Sequence, residues 1–243
     1  SGVTLPGTPA VVVGSNTKVA WGFTNSQGDW SDVIKLRVSD DGNQYQNATG
    51  LVSFTDYEEV IHIKGGTQET LTVKESEWGP VIATDHQGYP IVHRWVAHDS
   101  NGLNMNLMDM ENVSTVQQAF ALANTFGQPA QNLMVADKDG NIGWTIAGPI
   151  PKRGTAAQNV ADFWDSPDAG WQGYLVPDEY PRVYNPSHHR LWTANARVVG
   201  EKMLAKVGTG GYALGARQQQ IRDGLFLLDS ADEADMFQLQ LDD

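Results

Sequence analysis

The feature that most limits the fold is a run of short apolar segments, each closed by a turn signal, that fills most of the first 110 residues. Val11-Val12-Val13 ends at Gly14-Ser15-Asn16, and Val19-Ala20-Trp21-Gly22-Phe23 follows at once, which reads as a hairpin. Residues 34–38 alternate apolar and polar side chains before Asp41-Gly42, a second hairpin signal. Residues 59–64 and 67–74 flank Gly65-Gly66, where two residues free to take positive φ suit a tight turn. Residues 91–97, with Trp95, continue the pattern. The pattern predicts antiparallel β-structure.

One helix stands out against it. Ser114-Thr115-Val116-Gln117 fits a capping box, and Val116, Ala119, Phe120 and Ala123 recur at helical spacing, which predicts an amphipathic helix over 114–124 ended by Gln128-Pro129. Another hairpin turn is expected around residues 137–141, and a further helix over 213–228, where Ile221, Leu225 and Leu228 share a face. Between them residues 150–186 form a long irregular excursion whose own aromatic residues, Trp164, Trp171, Tyr174, Tyr180 and Tyr184, are positioned to pack it. With no repeat and no linker, residues 1–243 read as one α+β region.

Composition narrows the chemistry. The chain has no Cys, so a disulfide framework, a thiolate zinc site and a cysteine nucleophile are excluded. No run of about 18 apolar residues exists, so a membrane-spanning helix is excluded as well. The excess of 29 Asp+Glu over 16 Lys+Arg, unbroken by a basic patch, repels phosphate backbones, and no nucleic-acid partner is expected. The six His form no His-Glu-x-x-His motif, and Gly-x-Ser-x-Gly is absent. The first residue is Ser rather than Met, which reads either as a terminus freed by cleavage or as a cut through something larger.

Three places carry candidate chemistry. Asp29-Trp30-Ser31-Asp32 sets two carboxylates three apart with a carbonyl between them, a spacing that suits calcium and equally suits two solvated turn residues. Asp137-x-Asp139-Gly140 lacks the closing Glu of an EF-hand. Asn195, ending Trp192-Thr193-Ala194-Asn195, offers an amide that could donate to an oxyanion or bond its own turn. Arg217 reads either as a substrate-orienting group or as a surface ion-pair residue.

Several of these residues fall in longer stretches. Val3-Thr4-Leu5-Pro6-Gly7-Thr8-Pro9, Val13-Gly14-Ser15-Asn16 and Ala20-Trp21-Gly22-Phe23-Thr24-Asn25 resemble the β-subunit of the penicillin acylase family, which includes cephalosporin and acyl-homoserine lactone acylases. The resemblance continues collinearly through Pro129-Ala130-Gln131-Asn132, Gly148-Pro149-Ile150-Pro151, Trp171-Gln172-Gly173-Tyr174, Asn185-Pro186, Thr193-Ala194-Asn195 and Gly215-Ala216-Arg217. It implies an N-terminal-nucleophile hydrolase with a four-layer αββα core, only part of which this chain would hold. In such an enzyme a Ser hydroxyl freed by self-cleavage attacks an amide, with its own α-amino group as base. No His and no organic cofactor is then needed.

By position, the resemblance makes Asn195 and the backbone N–H of Asn25 the oxyanion hole, and Arg217 a residue near the nucleophile. It makes Asp29, Ser31 and Asp32 a turn for structural calcium, and Val13 and Phe23 part of the acyl pocket. Val13 stands where some members carry a larger aromatic residue, which would widen the pocket toward longer acyl groups. Two departures are plain: Trp78-Gly79-Pro80 stands where the family often has His-Gly-Pro, and between the Asn195 and Arg217 motifs only Glu201 could replace a further calcium carboxylate.

A Pro-Gly segment that the family places several dozen residues after its nucleophile begins here at Pro6, so the resemblance puts Ser1 at an internal position. The expectation is an interior part of a β-subunit, truncated at both ends, inactive alone and partnered by an α-subunit, in a periplasmic or secreted protein acting on a small-molecule amide. The rival class is a β-rich module that stacks its aromatic residues on a ligand, or a catalytically dead acylase-like scaffold. These readings differ in where Asn195 sits: beside Asn25 at the end of a central sheet for the enzyme, apart from it for the binding module.

Overall fold

The computed structural model describes residues 1–154 and 160–242. Part of the predicted excursion, residues 155–159, and the last acidic residue, Asp243, lie outside the described residues. In chain order the strands are β1 (Gly2–Val3), β2 (Val13–Ser15), β3 (Val19–Asn25), β4 (Ser31–Lys35), β5 (Gln44–Asn47), β6 (Gly50–Ser53), β7 (Thr55–Ile61) and β8 (Glu69–Ser76). They continue with β9 (Gly79–Thr84), β10 (Pro90–Trp95), β11 (Gln131–Asp137), β12 (Ile142–Ala147), β13 (Pro151–Arg153), β14 (Asp162–Phe163), β15 (Trp171–Tyr174) and β16 (Arg182–Tyr184). The helices are α1 (Val116–Ala123), α2 (Glu201–Val207), α3 (Ala216–Phe226) and α4 (Glu233–Gln240).

The expected single region is divided into two compact units, each assembled from separate stretches of chain. The first comprises residues 1–29, 101–150 and 175–243, and the second residues 30–100 and 151–174. The chain passes between units at 29/30, 100/101, 150/151 and 174/175, and no linker composition marks the division.

In the first unit an antiparallel sheet runs in the order β1-β2-β3-β11-β12-β16. Alternation sends Val19 and Trp21 of β3, and Leu133 and Val135 of β11, to one face, where they meet Val116, Ala119, Phe120 and Ala123 of α1 in a common core. This helix-on-sheet pair is one α and one β layer of the expected core. Gly143 is required beneath it, since a Cβ there would lie 2.2 Å from Phe120 Cζ.

The predicted capping box shifts by one residue. Thr115, not Ser114, is the N-cap and accepts from the Gln118 N–H, while Gln118 rather than Gln117 reaches back to the Ser114 N–H. Packing of the Val116–Phe120 stripe sets the helix start, and the neighbouring Ser and Thr are chemically equivalent caps.

The predicted turn at residues 137–141 does more than reverse the chain. Asp137 accepts from the side chain and backbone of Asn141, from the Asp139 N–H and from the Val116 N–H at the start of α1. Burial opposes ionisation of this carboxyl, but the hydrogen bonds outweigh it and hold the group below its ordinary value. Asp137→Ala should therefore lower stability by about 2 kcal/mol. Because the folded-state pKa is depressed, that contribution is full above the ordinary carboxylate value of 3.8 and disappears as pH falls through the folded value. Urea titrations of parent and variant at neutral and acid pH check it: the gap closes in acid.

The second unit contains a six-stranded sheet ordered β14-β4-β10-β9-β8-β7, in which β14 pairs parallel to β4 and the other pairs are antiparallel, together with the β5–β6 hairpin and the β13–β15 ribbon. The β7–β8 hairpin around Gly65-Gly66 is the predicted one, with β7 beginning four residues earlier, at Thr55 rather than Glu59. The core gathers Ile34, Leu36, Tyr45, Val92 and Trp164, with Trp78 packed edge-on to both Tyr45 and Trp164. Of the aromatic residues from Trp164 to Tyr184 that the rival binding-module reading would use, Trp164 is 7% exposed and a core residue, whereas Tyr184 is 41% exposed. In the first unit Tyr180 is buried; its hydroxyl donates to the Gly148 carbonyl at 2.9 Å, and burial pushes the phenol up to about 12.

Candidate active site

β3 runs from Val19 to Asn25 near the middle of its sheet, and Asn25 is its last residue. Asn195 stands beside it. The Asn195 Nδ2 donates to the Asn25 carbonyl at 3.2 Å, and Arg217, in the first turn of α3, donates from Nη2 to Asn195 Oδ1 at 2.9 Å. Since a guanidinium only donates, the Asn195 oxygen must face Arg217 and its nitrogen must face β3. Asn195 has φ +60, a left-handed conformation that Asn adopts more readily than other non-glycine residues, and its carbonyl accepts from the Ala213 N–H at 3.1 Å. The three residues expected to form the site are thus brought together, at the end of the sheet.

More polar groups hold this corner than the sequence indicated. Thr24 and Thr193 hydroxyls meet at 3.0 Å, and Asn132 Nδ2 lies 3.1 Å from Thr24 Oγ1 and 3.3 Å from the Asn25 carbonyl. The signal for Asn132 was present as an amide beside the apolar run of its strand, Gln131–Asp137.

The two acyl-pocket candidates separate. Val13 lies opposite Gly22 by the β2–β3 register, and it is the nearest side chain to the space a Gly22 Cβ would fill. It therefore shares the face of Gly22 and Thr24 and is 44% exposed. Phe23 points the other way and packs against the α1 core.

Ser1 is far from this corner. The register Gly2↔Gly14 and Gly14↔Trp21, with Ser1 and Ser15 exchanging backbone hydrogen bonds, sets Ser1 in the row of Ala20. Asn25 is five residues further along β3, about 16 Å at the rise of a strand.

The calcium candidates fall on either side of the unit boundary. In the first unit Asp29 is buried, and its N–H donates to the Val207 carbonyl at 2.9 Å. The end of α2 closes down on it, since a Cβ on Gly208, at φ +69, would lie 2.5 Å from Asp29 Cβ. In the second unit Ser31 opens β4 beside Asp32. Asp32 Oδ2 accepts from Arg153 Nε at 3.3 Å, from Arg153 Nη2 at 3.1 Å and from the Trp171 indole N–H.

Two guanidinium groups lie over the Trp171 ring, with Arg94 Cζ 4.7 Å and Arg153 Cζ 5.7 Å from its centroid, and Arg94 is itself paired with Asp99. Glu201 is exposed at the start of α2. Among the described residues no group of three or more His, Asp or Glu gathers to hold a metal. The residues present do not fit a calcium cage, because the cation facing Asp32 is Arg153.

Comparison with known proteins agrees with this architecture. The Penicillin amidase family model matches residues 1–243. An acyl-homoserine lactone acylase QuiP from Pseudomonas aeruginosa is 27% identical, over 87% of this chain and 27% of its own length. Penicillin acylase 2 proenzyme of Pseudomonas sp. strain SE83 is 28% identical, over 82% of this chain and 26% of its own. Penicillin G acylase of Escherichia coli is 30% identical, over 73% and 21%. The chain thus spans about a quarter of the length of the curated relatives it matches.

A solved structure of a thermostable penicillin G acylase from Alcaligenes faecalis superposes with a TM-score of 0.83, at 21% identity, covering 97% of this chain and 43% of that one. The fold is that of this penicillin G acylase structure. Matched by the family model from its first residue to its last, this chain belongs to the penicillin amidase family.

Proposed function

We propose that this chain is part of an amide hydrolase that releases an acyl group from a small-molecule amide, and that its share of the active site is the oxyanion hole. The observation that carries the reading is the Arg217–Asn195–Asn25 arrangement. A primary amide has two N–H groups. One Nδ2 hydrogen of Asn195 is committed to the Asn25 carbonyl, and the other serves the oxyanion that forms when a nucleophile adds to the substrate carbonyl. The Asn25 backbone N–H is the second donor. Arg217 keeps the amide from rotating and adds positive charge behind it.

The attacking hydroxyl and its α-amino base come from a Ser outside these 243 residues, since Ser1 occupies the far end of β3's sheet from Asn25. An α-subunit completes the acyl pocket, and Val13, on the face of Thr24, is this chain's contribution to it. A periplasmic or secreted location accompanies this reading. Calcium enters no step of it.

The test is hydrolysis of acyl p-nitroanilides by the intact protein and by residues 1–243 expressed alone. Release by the intact protein and none by the 243-residue chain is expected. Steady release by the short chain, abolished by Ser1→Ala, overturns the assignment of the nucleophile.

A further inference from the structure

Asn132 is 1% exposed, in the middle of its sheet, and belongs to none of the groups that would touch a substrate. A buried primary amide is unfavourable unless its donors and acceptors are matched, and each of its hydrogen-bonding groups is matched here. Its Oδ1 accepts from the Trp144 indole N–H at 2.9 Å. Indole nitrogen only donates, so the oxygen must face Trp144 and the NH2 must face β3. There Nδ2 meets Thr24 Oγ1 at 3.1 Å and the Asn25 carbonyl at 3.3 Å.

Both recipients are the groups to which Asn195 is fastened. The Asn25 carbonyl also takes the Asn195 amide at 3.2 Å, and Thr24 Oγ1 also meets Thr193 Oγ1, two residues before Asn195, at 3.0 Å. Thr24 and Asn25 flank the peptide whose N–H is the second proposed oxyanion donor. Holding the Thr24 side chain and the Asn25 carbonyl fixes the direction of that N–H from both sides. One buried amide, itself oriented by Trp144, therefore sets the position of both donors.

We propose that Asn132 is a positioning residue for the oxyanion hole, acting through Thr24 and Asn25. The inference rests on the oxyanion reading above. A donor displaced by about 1 Å from the developing oxyanion loses on the order of 10²-fold in rate, and the loss falls on kcat because the ground-state carbonyl makes weaker use of the donors.

The experiment is steady-state kinetics of the intact protein carrying Asn132→Asp, Thr193→Val or Asn195→Ala. Reversion of the first variant to the parental Asn serves as the rescue control. Asn132→Asp keeps shape and the acceptor for Trp144 but replaces the two N–H donors to β3 by a carboxyl oxygen with at most one O–H; Thr193→Val cuts the Thr24 link at the partly exposed end and leaves the buried amide intact. For Asn132→Asp the expected result is a fall in kcat of about 10- to 100-fold. For Thr193→Val it is a smaller fall, with KM unchanged in both.

A folded Asn132→Asp protein with parental kcat overturns the inference, and so does a rise in KM without a fall in kcat. Should Asn132→Asp fail to fold, a parental kcat in Thr193→Val overturns it. Loss of activity in Asn195→Ala alone sinks the positioning role and leaves the oxyanion reading standing. Parental activity in Asn195→Ala sinks the oxyanion reading itself.

Discussion

Asn195→Ala should lower kcat of the intact protein by about 10²- to 10³-fold and leave KM near the parental value, because a single oxyanion donor acts on charge that develops only in the transition state. Two structural facts favour a clean result. The side chain lies at the end of the sheet rather than in the core, so truncation opens no apolar cavity, and the backbone is held independently by the Ala213 N–H. The left-handed φ of +60 adds a strain on the order of 1 kcal/mol for Ala, which registers in thermal stability and not in kcat. Asn195→Gly removes that strain while still deleting the donor, and should match Asn195→Ala in rate. Stopped assays with a chromogenic acyl amide, paired with melting curves, separate the two effects. Unchanged turnover in both variants would show that the corner is structural.

Breaking the Asp32–Arg153 pair should be the largest change in stability. The two side chains are 12% and 10% exposed, so removing the Arg153 charge leaves the Asp32 carboxylate largely desolvated without its cation, at an expected penalty of about 3–5 kcal/mol. Arg153→Met also removes the guanidinium packed on Trp171, whose indole is the third N–H donor to Asp32. For a protein of this size the expected fall in melting temperature is roughly 10 °C. Replacing both partners, Asp32→Asn with Arg153→Met, should recover part of that loss, since the Asp32 carboxylate is no longer buried without its cation.

The same pair decides the response to metal removal. A bound ion would raise stability by mass action, so chelation would lower the melting point and added calcium would restore it. With Arg153 on Asp32, chelator leaves the melting curve of the parent where it was. A calcium-dependent rise would return Asp32 to the role of an ion ligand.

Local patterns carried the parts of the fold in which the relevant partners are close in sequence. The β2–β3, β7–β8 and β11–β12 hairpins follow from apolar runs around turn residues, and α1 follows from its stripe of Val116, Ala119, Phe120 and Ala123. α2, seven residues long, and α4 were missed. Neither presents an apolar stripe long enough to read; α2 is positioned by the close approach of Gly208 to Asp29.

In the candidate site, Asn25, Asn195 and Arg217 were recognisable as motif positions. Thr24, Asn132 and Thr193 stood in the same motif stretches without a role, because the bonds that give them meaning join residues 108 and 169 positions apart. Asn132 in particular looked like any polar residue in a strand until its burial was known. Asp32 shows the converse: a spacing that suits calcium or a solvated turn gave no sign of the Arg 121 residues away that pairs with it.

By itself the amino-acid sequence determined that this chain is β-rich, acidic and free of thiol chemistry, and it marked Asn195, Asn25 and Arg217 as motif positions, because alternation, turn preference and motif order are all local or collinear properties. Only the tertiary structure decided that Asn195 donates to the Asn25 carbonyl, that Ser1 lies at the opposite end of the sheet, and that Arg153 faces Asp32. Those outcomes depend on strand register and on which distant side chain reaches a buried polar group first. Both are set by the packing of the whole sheet, which no short stretch of sequence contains.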